Sequence, residues 1–592
     1  VSRRRVRSAQ RVRRSSNVDS RLRLVGIICG LFAVLVGVRL FVLMIVEHDV
    51  YTDIATGSHG ITQRLIPERG EIFIQDTRTG DEFPLAINKD QFIVFADTRA
   101  ILDDEMAEDV AEGLAEVFSY DDEKKFSVYL QVNKRTDPYE PLEKNIEESV
   151  VEVLRELDLP GISYVRVPRR LYPEKHIASH VVGFVGKTED GGDLGRYGIE
   201  GYWQQELAGN AGVFEGAKTA GGRWISIAGR LFRPAEDGVD LLLTIDRTLQ
   251  FQSCEMLREA MELYEAEGAS LIIMDPRNGA IRAMCSLPDF DVNDYSQVVS
   301  GNVYNNKAVF APYEIGSIFK PIAMGAALNE GAVTPKTVFH DSGSKQDICQ
   351  HPITNADGKI YGDTTMTGVL ENSINTGMVY VVEQIGKKVF REYVEQFGFG
   401  IKEGIQIDTE ASGTIDSLSE NRGDNIDCYA ATASFGQGIT ATPLQMVSAY
   451  SAIATGGELI KPYIVDEVRH SDGKVDKTKR TAIRRVLTPR TSTFLKGMLV
   501  NVIDSGQAKL ARAPGYYIAG KTGTAQIPGP GGYTEDTNHS FIGFGPVDNP
   551  AFVMLIKLEK PKSGRFSSVT AAPTFGKIAQ FLLEYYHIEP ER

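Results

Sequence analysis

Residues 24 to 46 read LVGIICGLFAVLVGVRLFVLMIV, twenty-three residues with a single charge, Arg39. A membrane's hydrocarbon core takes about 20 helical residues to cross, so this run predicts a transmembrane helix. A cleaved signal peptide has a shorter apolar stretch and a small-residue cleavage site, and the run shows neither. No later stretch of the 592 residues is apolar enough to cross again, so almost all of the chain is expected on one side of the membrane. Residues 1 to 23 hold nine arginines and one acid, Asp19, while Glu47 and Asp49 follow the span. That asymmetry predicts a cytoplasmic N-terminus and an extracytoplasmic remainder, in a periplasm or at the cell surface. Arg39 is expected to snorkel to the outer interface rather than meet a partner helix. Gly26 and Gly30, spaced GxxxG, offer only a weak close-packing face.

The net charge of −15 hides this division. Beyond residue 23 the chain carries 55 Lys and Arg against 78 Asp and Glu, a balance of −23 that argues against a nucleic-acid partner. With 42% hydrophobic and 24% charged residues the composition is that of a globular protein, and the length predicts two or three domains. Cys29 lies in the span, and Cys254, Cys285, Cys349 and Cys428 show no metal-like spacing. Buried free thiols are the expectation, although the outer compartment permits a disulfide. His176 and His180 stand at i and i+4, but without a third ligand they read as structural and no metal is expected.

Residues 47 to about 240 mix short strands with two amphipathic helices, DEMAEDVAEGLAEVF and NIEESVVEVLREL. Strand-like sequence ending in DLLLTID leads to a helix, RTLQFQSCEMLREAMELYEAEG, that opens a new unit. ASLIIMD and AIRAMCSL then flank a PRNG turn and predict a hairpin. Near the end, YYIAGKTGTAQI, SFIGFGPV and AFVMLIKLE predict three more strands, with mostly helix in between. This is an α+β pattern, in which the first hairpin and the last strands are expected to share one antiparallel sheet flanked by helices.

Within the helical stretch, YEIGSIFKP (residues 313 to 321) sets a serine and a lysine three apart before an apolar run. Residues at that spacing share a helix face, so Ser317 and Lys320 can touch. A serine hydroxyl is a poor nucleophile until a neighbour takes its proton. Ile318, Phe319 and Ile322 desolvate the lysine, and the helix N-terminus disfavours a cation, so both push Lys320 towards the neutral form of a base. The other S-x-x-K matches, at Ser342 and Ser471, fall in turns. Among the S-x-N matches, Ser15 lies in the tail, Ser300 and Ser419 lie in polar loops, and Ser373 lies between two helical stretches. Of the two K-[ST]-G matches, Lys562 is in a turn while Lys521 follows an alternating strand.

The ordered set SIFK, SIN and KTGT resembles the three signatures of penicillin-binding proteins and serine β-lactamases. RGEI, RRLYPEKHIASHVVGFVG, GIEGYWQQELAG, LLLTIDRTLQ, FGQGITATPLQ and NHSFIGFGPVDNP resemble class B penicillin-binding proteins in particular. The resemblance implies a single-pass peptidoglycan D,D-transpeptidase. Its parts would be a tail at 1–23, a span at 24–46, a non-catalytic dimerisation-type pedestal at 47–240 and a transpeptidase domain at 241–592. It implies Ser317 as nucleophile, Lys320 as its base, Ser373 as a proton relay and Asn375 as a clamp on the substrate backbone. Lys521, Thr522, Gly523 and Thr524 would form the carboxylate-binding strand, with the backbone N–H groups of Ser317 and Thr524 as oxyanion hole. D-Ala-D-Ala stem peptides and β-lactams are the implied ligands, and a membrane glycan polymerase and divisome proteins the implied partners. No cofactor is implied. The closing AAPTFGKIAQFLLEYYHIEP is more similar to the division branch than to the elongation branch.

Two departures stand out. Ile315 replaces the family's usual proline, which is expected to loosen the turn before the nucleophile, and FIQDTRTG is longer than the usual turn after RGEI. The alternatives are weaker. A β-lactamase needs a further base for fast deacylation and no large pedestal. A β-lactam sensor needs an intracellular output domain, and 23 residues before the span leave it little room. A bifunctional enzyme would show the acidic signature of a glycosyltransferase, and an inactive scaffold would lack one of the three signatures.

Overall fold

The computed structural model describes residues 17–41, 60–65, 67–189, 191–217, 231–419, 425–530 and 532–592. They form two compact units, Val1–Pro67 with Asn210–Glu236, and Glu68–Gly209 with Asp237–Arg592. The first contains the helix Asn17–Phe41 and a three-stranded antiparallel sheet of Gly60–Leu65, Gly212–Ala217 and Leu231–Arg233. The stretch Leu24–Phe41 is long and apolar enough to cross a membrane, and none of it is buried. A helix in a soluble core would hide such side chains, so this exposure fits a lipid surrounding. The arginine-rich residues 1–16, the end of the expected span at 42–46, Glu47 and Asp49 lie outside the described residues.

In the second unit a small core forms around the two predicted helices, Asp104–Phe118 and Glu148–Leu157. The first buries Ala107, Val110, Ala111 and Leu114, a 3–4 spacing, and Asp103 caps it by accepting from the Met106 N–H. A third helix, Asp122–Val132, escaped sequence reading because it buries only Val128 and Val132, too few to set a period. The 15-residue strand Glu82–Ala96 pairs with Ile72–Gln75, Glu140–Ile146 and Ile162–Leu171. Ile72–Gln75 also pairs in parallel with Asp240–Asp246, the strand that leads into the catalytic sequence.

Three of the segments quoted above converge on one buried cluster. Glu200, from GIEGYW, receives hydrogen bonds from Arg69 of RGEI and Arg170 of RRLYPEK, each from Nε at 2.8 Å. Burial alone would raise the Glu200 carboxyl, but Arg170 and Arg69 overcome it and hold it below its ordinary range. The long turn after RGEI is also ordered. Asp76 accepts from the N–H groups of Arg78 and Thr79, Gly80 adopts φ +77°, and Thr77 bonds to the buried Asp246.

The second sheet runs Ile281–Leu287, Gly268–Met274, Phe552–Glu559, Gly532–Gly545, Ala519–Gly529, antiparallel throughout. The first hairpin and the last three strands thus share one sheet, as their order predicts. Gly268–Met274 is buried along its whole length, which an antiparallel strand shows only when both faces are covered. Helices Arg247–Leu263 and Ala571–Tyr585 pack together on the sheet, and Pro443–Ala454, with all twelve residues buried, packs on it as well.

The expected free thiols are a misreading. Cys254 is joined to Cys285 and Cys349 to Cys428, across 31 and 79 residues of sequence. Such spacings carry no local signal. Only the fold brings the Cα atoms to 5.8 and 4.7 Å. His180 is structural as expected, with Nε2 at 2.7 Å from the Val303 carbonyl and its ring edge-on to Phe290.

Candidate active site

The nucleophile segment starts from a short strand, Tyr313–Glu314, paired with Thr440–Ala441. Ser317 lies in a 3-10 turn, Gly316–Phe319, and the α-helix proper begins at Lys320 and runs to Asn329. Pro321 falls in its first turn, where a missing N–H costs nothing. Ile315 does not loosen the approach. Its φ of −73° is one that proline itself adopts, and its side chain is fully buried. Gly316 has φ +60°, and its N–H donates to the Gly436 carbonyl at 3.0 Å. A Cβ on Gly436 would lie 2.2 Å from the Gly316 oxygen, so FGQGIT presses bare backbone against the nucleophile turn. Sequence reading also missed Tyr450, whose buried hydroxyl donates to the Ile318 carbonyl at 2.7 Å from the helix Pro443–Ala454.

Lys320 is completely buried. Its Nζ donates to the Ser373 carbonyl at 2.6 Å, the Ser373 hydroxyl at 3.1 Å and Asn375 Oδ1 at 2.8 Å. Lys521, equally buried, donates to the same Ser373 hydroxyl at 3.0 Å and to Thr522 Oγ1 at 3.2 Å. Burial first, and the Lys521 charge second, push Lys320 well below the ordinary lysine range. Burial pushes Lys521 down to about 7. Ser373 sits in the connection between helices Met366–Glu371 and Asn375–Gln396, with φ +57°. That left-handed value is uncommon for a residue with a Cβ, and the surrounding contacts hold it there. The Ser317 hydroxyl is half-buried and makes no side-chain hydrogen bond among the described residues.

The KTGT strand lies against this turn because Gly523 has no side chain. A Cβ there would come within 2.9 Å of Ile318 Cγ2 and 2.5 Å of Ser540 Oγ. The two threonine hydroxyls are already engaged. Thr522 Oγ1 accepts from Lys521, while Thr524 Oγ1 accepts from the Ser567 N–H at 3.0 Å and donates to Ser567 Oγ at 3.1 Å. Sequence reading missed Ser567, in RFSSVT, because nothing local marks it. The structure therefore brings Lys320, Ser373, Asn375, Lys521 and Thr522 into one hydrogen-bonded group, with Ser317 on the turn before Lys320. The competing matches stay apart: Ser342 and Ser471 lie in turns between strands, and Lys562 is exposed. The arrangement offers a half-buried hydroxyl on the turn before a buried lysine, and a second hydroxyl between that amine and the amine of Lys521. Those are the parts of a serine acyl transfer.

The Penicillin binding protein transpeptidase domain matches residues 269–580, and the Penicillin-binding Protein dimerisation domain matches residues 64–243. "Stage V sporulation protein D" of Bacillus subtilis is 34% identical over 98% of this chain and 88% of its own length. A "Peptidoglycan D,D-transpeptidase FtsI homolog" of Mesostigma viride is 30% identical over 75% of this chain and 77% of its own. The fold is that of Penicillin Binding Protein 2X from Streptococcus thermophilus, with a TM-score of 0.76 at 21% identity over 88% of this chain and 80% of that one.

Proposed function

Since the chain belongs to the class B penicillin-binding proteins and is a serine-type peptidoglycan D,D-transpeptidase, we propose that Ser317 is its nucleophile and Lys320 the base that activates it. The observation that carries this reading is the Ser373 hydroxyl, held between two buried lysine amines, 3.1 Å from Lys320 and 3.0 Å from Lys521. In the first half-reaction Ser317 Oγ attacks the penultimate D-alanyl carbonyl of a stem peptide and Lys320 Nζ takes its proton. The backbone N–H groups of Ser317 and Thr524 hold the oxyanion. Ser373 passes the proton from Lys320 to the leaving nitrogen, the C–N bond breaks, D-alanine departs and an ester remains on Ser317. Asn375 aligns the donor backbone. Lys521, in its charged form, holds the terminal carboxylate with Thr522, and Thr524 joins them by turning its proton from Ser567. In the second half-reaction an amine from a neighbouring stem attacks the ester. Its proton returns through the same groups to Ser317 Oγ, and an amide cross-link forms.

An N-terminal apolar helix, which includes Leu24–Phe41, anchors the protein in a membrane. The arginine-rich residues before it favour a cytoplasmic N-terminus and an extracytoplasmic catalytic domain. We assign residues 47–240 to the pedestal and 241–592 to the transpeptidase domain, and a membrane glycan polymerase and divisome proteins as partners. The resemblance of the C-terminal sequence favours work at the septum. A second reading rests on the relative named for a sporulation stage, which aligns with 98% of the chain: wall synthesis during spore development. A tagged copy at the division site of growing cells supports the first, and its absence there until sporulation supports the second.

Time-resolved mass spectrometry of the intact protein with penicillin tests the chemistry. A long-lived adduct on the peptide containing Ser317, absent from Ser317→Ala, is expected. Rapid release would mean a hydrolase, and a label on Ser342 or Ser471 would refute the site. Lys320→Ala should slow acylation by roughly 10²–10⁴-fold, the usual worth of a general base.

A further inference from the structure

The helix that carries Asn375 begins without a cap of its own. Its N-cap residue, Ile374, has no side chain able to accept from the first backbone N–H groups. The missing acceptor comes from twenty residues earlier. Asn355 Oδ1 accepts from the N–H of Asn375 at 3.1 Å and from the N–H of Thr376 at 3.4 Å. The residue before it, Thr354, offers its carbonyl to Asn375 Nδ2 at 2.9 Å. The Thr354–Asn355 dipeptide therefore grips Asn375 by backbone and side chain together. With Nδ2 committed to Thr354, the other end of the Asn375 amide, Oδ1, must face Lys320 Nζ, where it lies at 2.8 Å.

Asn355 is itself fixed from behind. Its Nδ2 donates to Asp341 Oδ2 at 2.9 Å and to the Lys359 carbonyl at 3.0 Å. Asp341 is fully buried, and its carboxylate accepts from the N–H groups of Gly343 and Tyr361 and from Thr376 Oγ1 at 2.7 Å. Four donors and no cation surround it in these contacts. A buried carboxylate satisfied in this way is costly to disturb, so it makes a stiff anchor. The short hairpin of Ser344–Lys345 with Ile353–Thr354, tied by Cys349 to Cys428, holds the dipeptide from the other side.

We propose that Asn355, anchored by Asp341, is a positioning residue for acylation. By capping the Asn375 helix from another part of the chain, it holds Asn375 against the Thr354 carbonyl, and that carbonyl sets which end of the Asn375 amide meets Lys320. This rests on the reading of Lys320 as the base for Ser317. An Asn375 amide turned the other way would set two donors against each other and push the lysine off its contacts to Ser373. The carboxylate-binding strand at Lys521 would be untouched.

The test separates non-covalent binding from the acylation rate, using benzylpenicillin and the full-length protein in detergent. In Asn355→Ala the acylation rate should fall roughly 10- to 100-fold, the usual cost of a displacement of about 1 Å, while the dissociation constant of the initial complex stays near that of the parent. Asn355→Asp sets a second carboxylate against Asp341 and should also lose rate. Combining it with Asp341→Asn restores a donor between the two positions and should recover part of the loss. An unchanged acylation rate in Asn355→Ala overturns the proposal. So does a loss shared equally by binding and rate with a lowered melting temperature, which marks a merely structural residue. Should Asn355→Ala fail to fold, Thr376→Val removes the hydroxyl that bonds both Asp341 and Asn355 Oδ1 and decides the matter: a slower acylation with unchanged binding supports the proposal, and a parental rate overturns it. Failure of the parent protein to acylate at Ser317 would instead defeat the underlying assignment, and is read from the same experiment.

Discussion

Replacing Gly436 with alanine tests whether the backbone contact behind Ser317 sets the nucleophile's place. Two costs can be worked out. Gly436 sits at φ +85°, and an L side chain at positive φ costs about 1–2 kcal/mol. The new Cβ would also lie 2.2 Å from the Gly316 oxygen and 2.7 Å from its nitrogen, both backbone atoms that no rotamer change can move. Reaching an ordinary contact requires a shift of about 1 Å, which breaks the 3.0 Å hydrogen bond from the Gly316 N–H. Leaving that buried donor unpaired costs about 1–3 kcal/mol more. The expected sum is about 2–5 kcal/mol of stability, together with a displaced Ser317 and acylation slower by roughly 10²-fold. Gly456→Ala is the control. It has φ +81° but nothing within 4 Å of the added methyl, so it carries the strain without the clash. It should lose about 1–2 kcal/mol and acylate like the parent. Fluorescent-penicillin labelling rates and thermal denaturation of both variants measure this. Parental acylation in Gly436→Ala, or equal slowing in both variants, would refute the argument that the contact positions the serine.

Lys521→Ala should lose acylation by carboxylate-bearing β-lactams, whereas Lys562→Ala, an exposed charge worth about 0–1 kcal/mol, should change little in the same labelling assay. Because burial lowers Lys521 from 10.5 to about 7, the unfolded chain binds more protons than the folded one between those values. Lys521 therefore weakens the unliganded fold fully below pH 7, and the penalty fades as pH rises towards 10.5. The stability gained by Lys521→Met in denaturant titrations should be largest at pH 6 and shrink by pH 10, and a difference flat with pH would contradict the sign. External protease on spheroplasts should digest the region after about residue 47 and spare the arginine-rich tail; a protected C-terminal region would reverse the orientation.

Much of this molecule is written in local patterns. The apolar run before Phe41, the 3–4 spacing of Ala107, Val110, Ala111 and Leu114, and the alternating strands around a PRNG turn each depend on neighbours a few residues away, which a sequence displays directly. The three signatures were legible for the same reason. Ser317 with Lys320, Ser373 with Asn375, and Lys521 with Thr522 are each short-range, and their settings separated them from chance matches at Ser342, Ser471 and Lys562. What joins these pieces is long-range, and there the sequence is silent. Cys254 and Cys285 looked like free thiols until helix and strand met, and Asn355 looked like any loop asparagine until it capped a helix twenty residues on. Tyr450 and Gly436 touch the site across more than a hundred residues, through contacts to the Ile318 carbonyl and the Gly316 N–H, and Ser567 reaches the Thr524 hydroxyl across 43. Ile315 points the same way: a departure in residue type kept the geometry, since φ −73° suits isoleucine and proline alike and the side chain found a place in the core. A hydrogen bond or a thiol pair between distant residues needs both partners in place at once, and only tertiary packing brings them there.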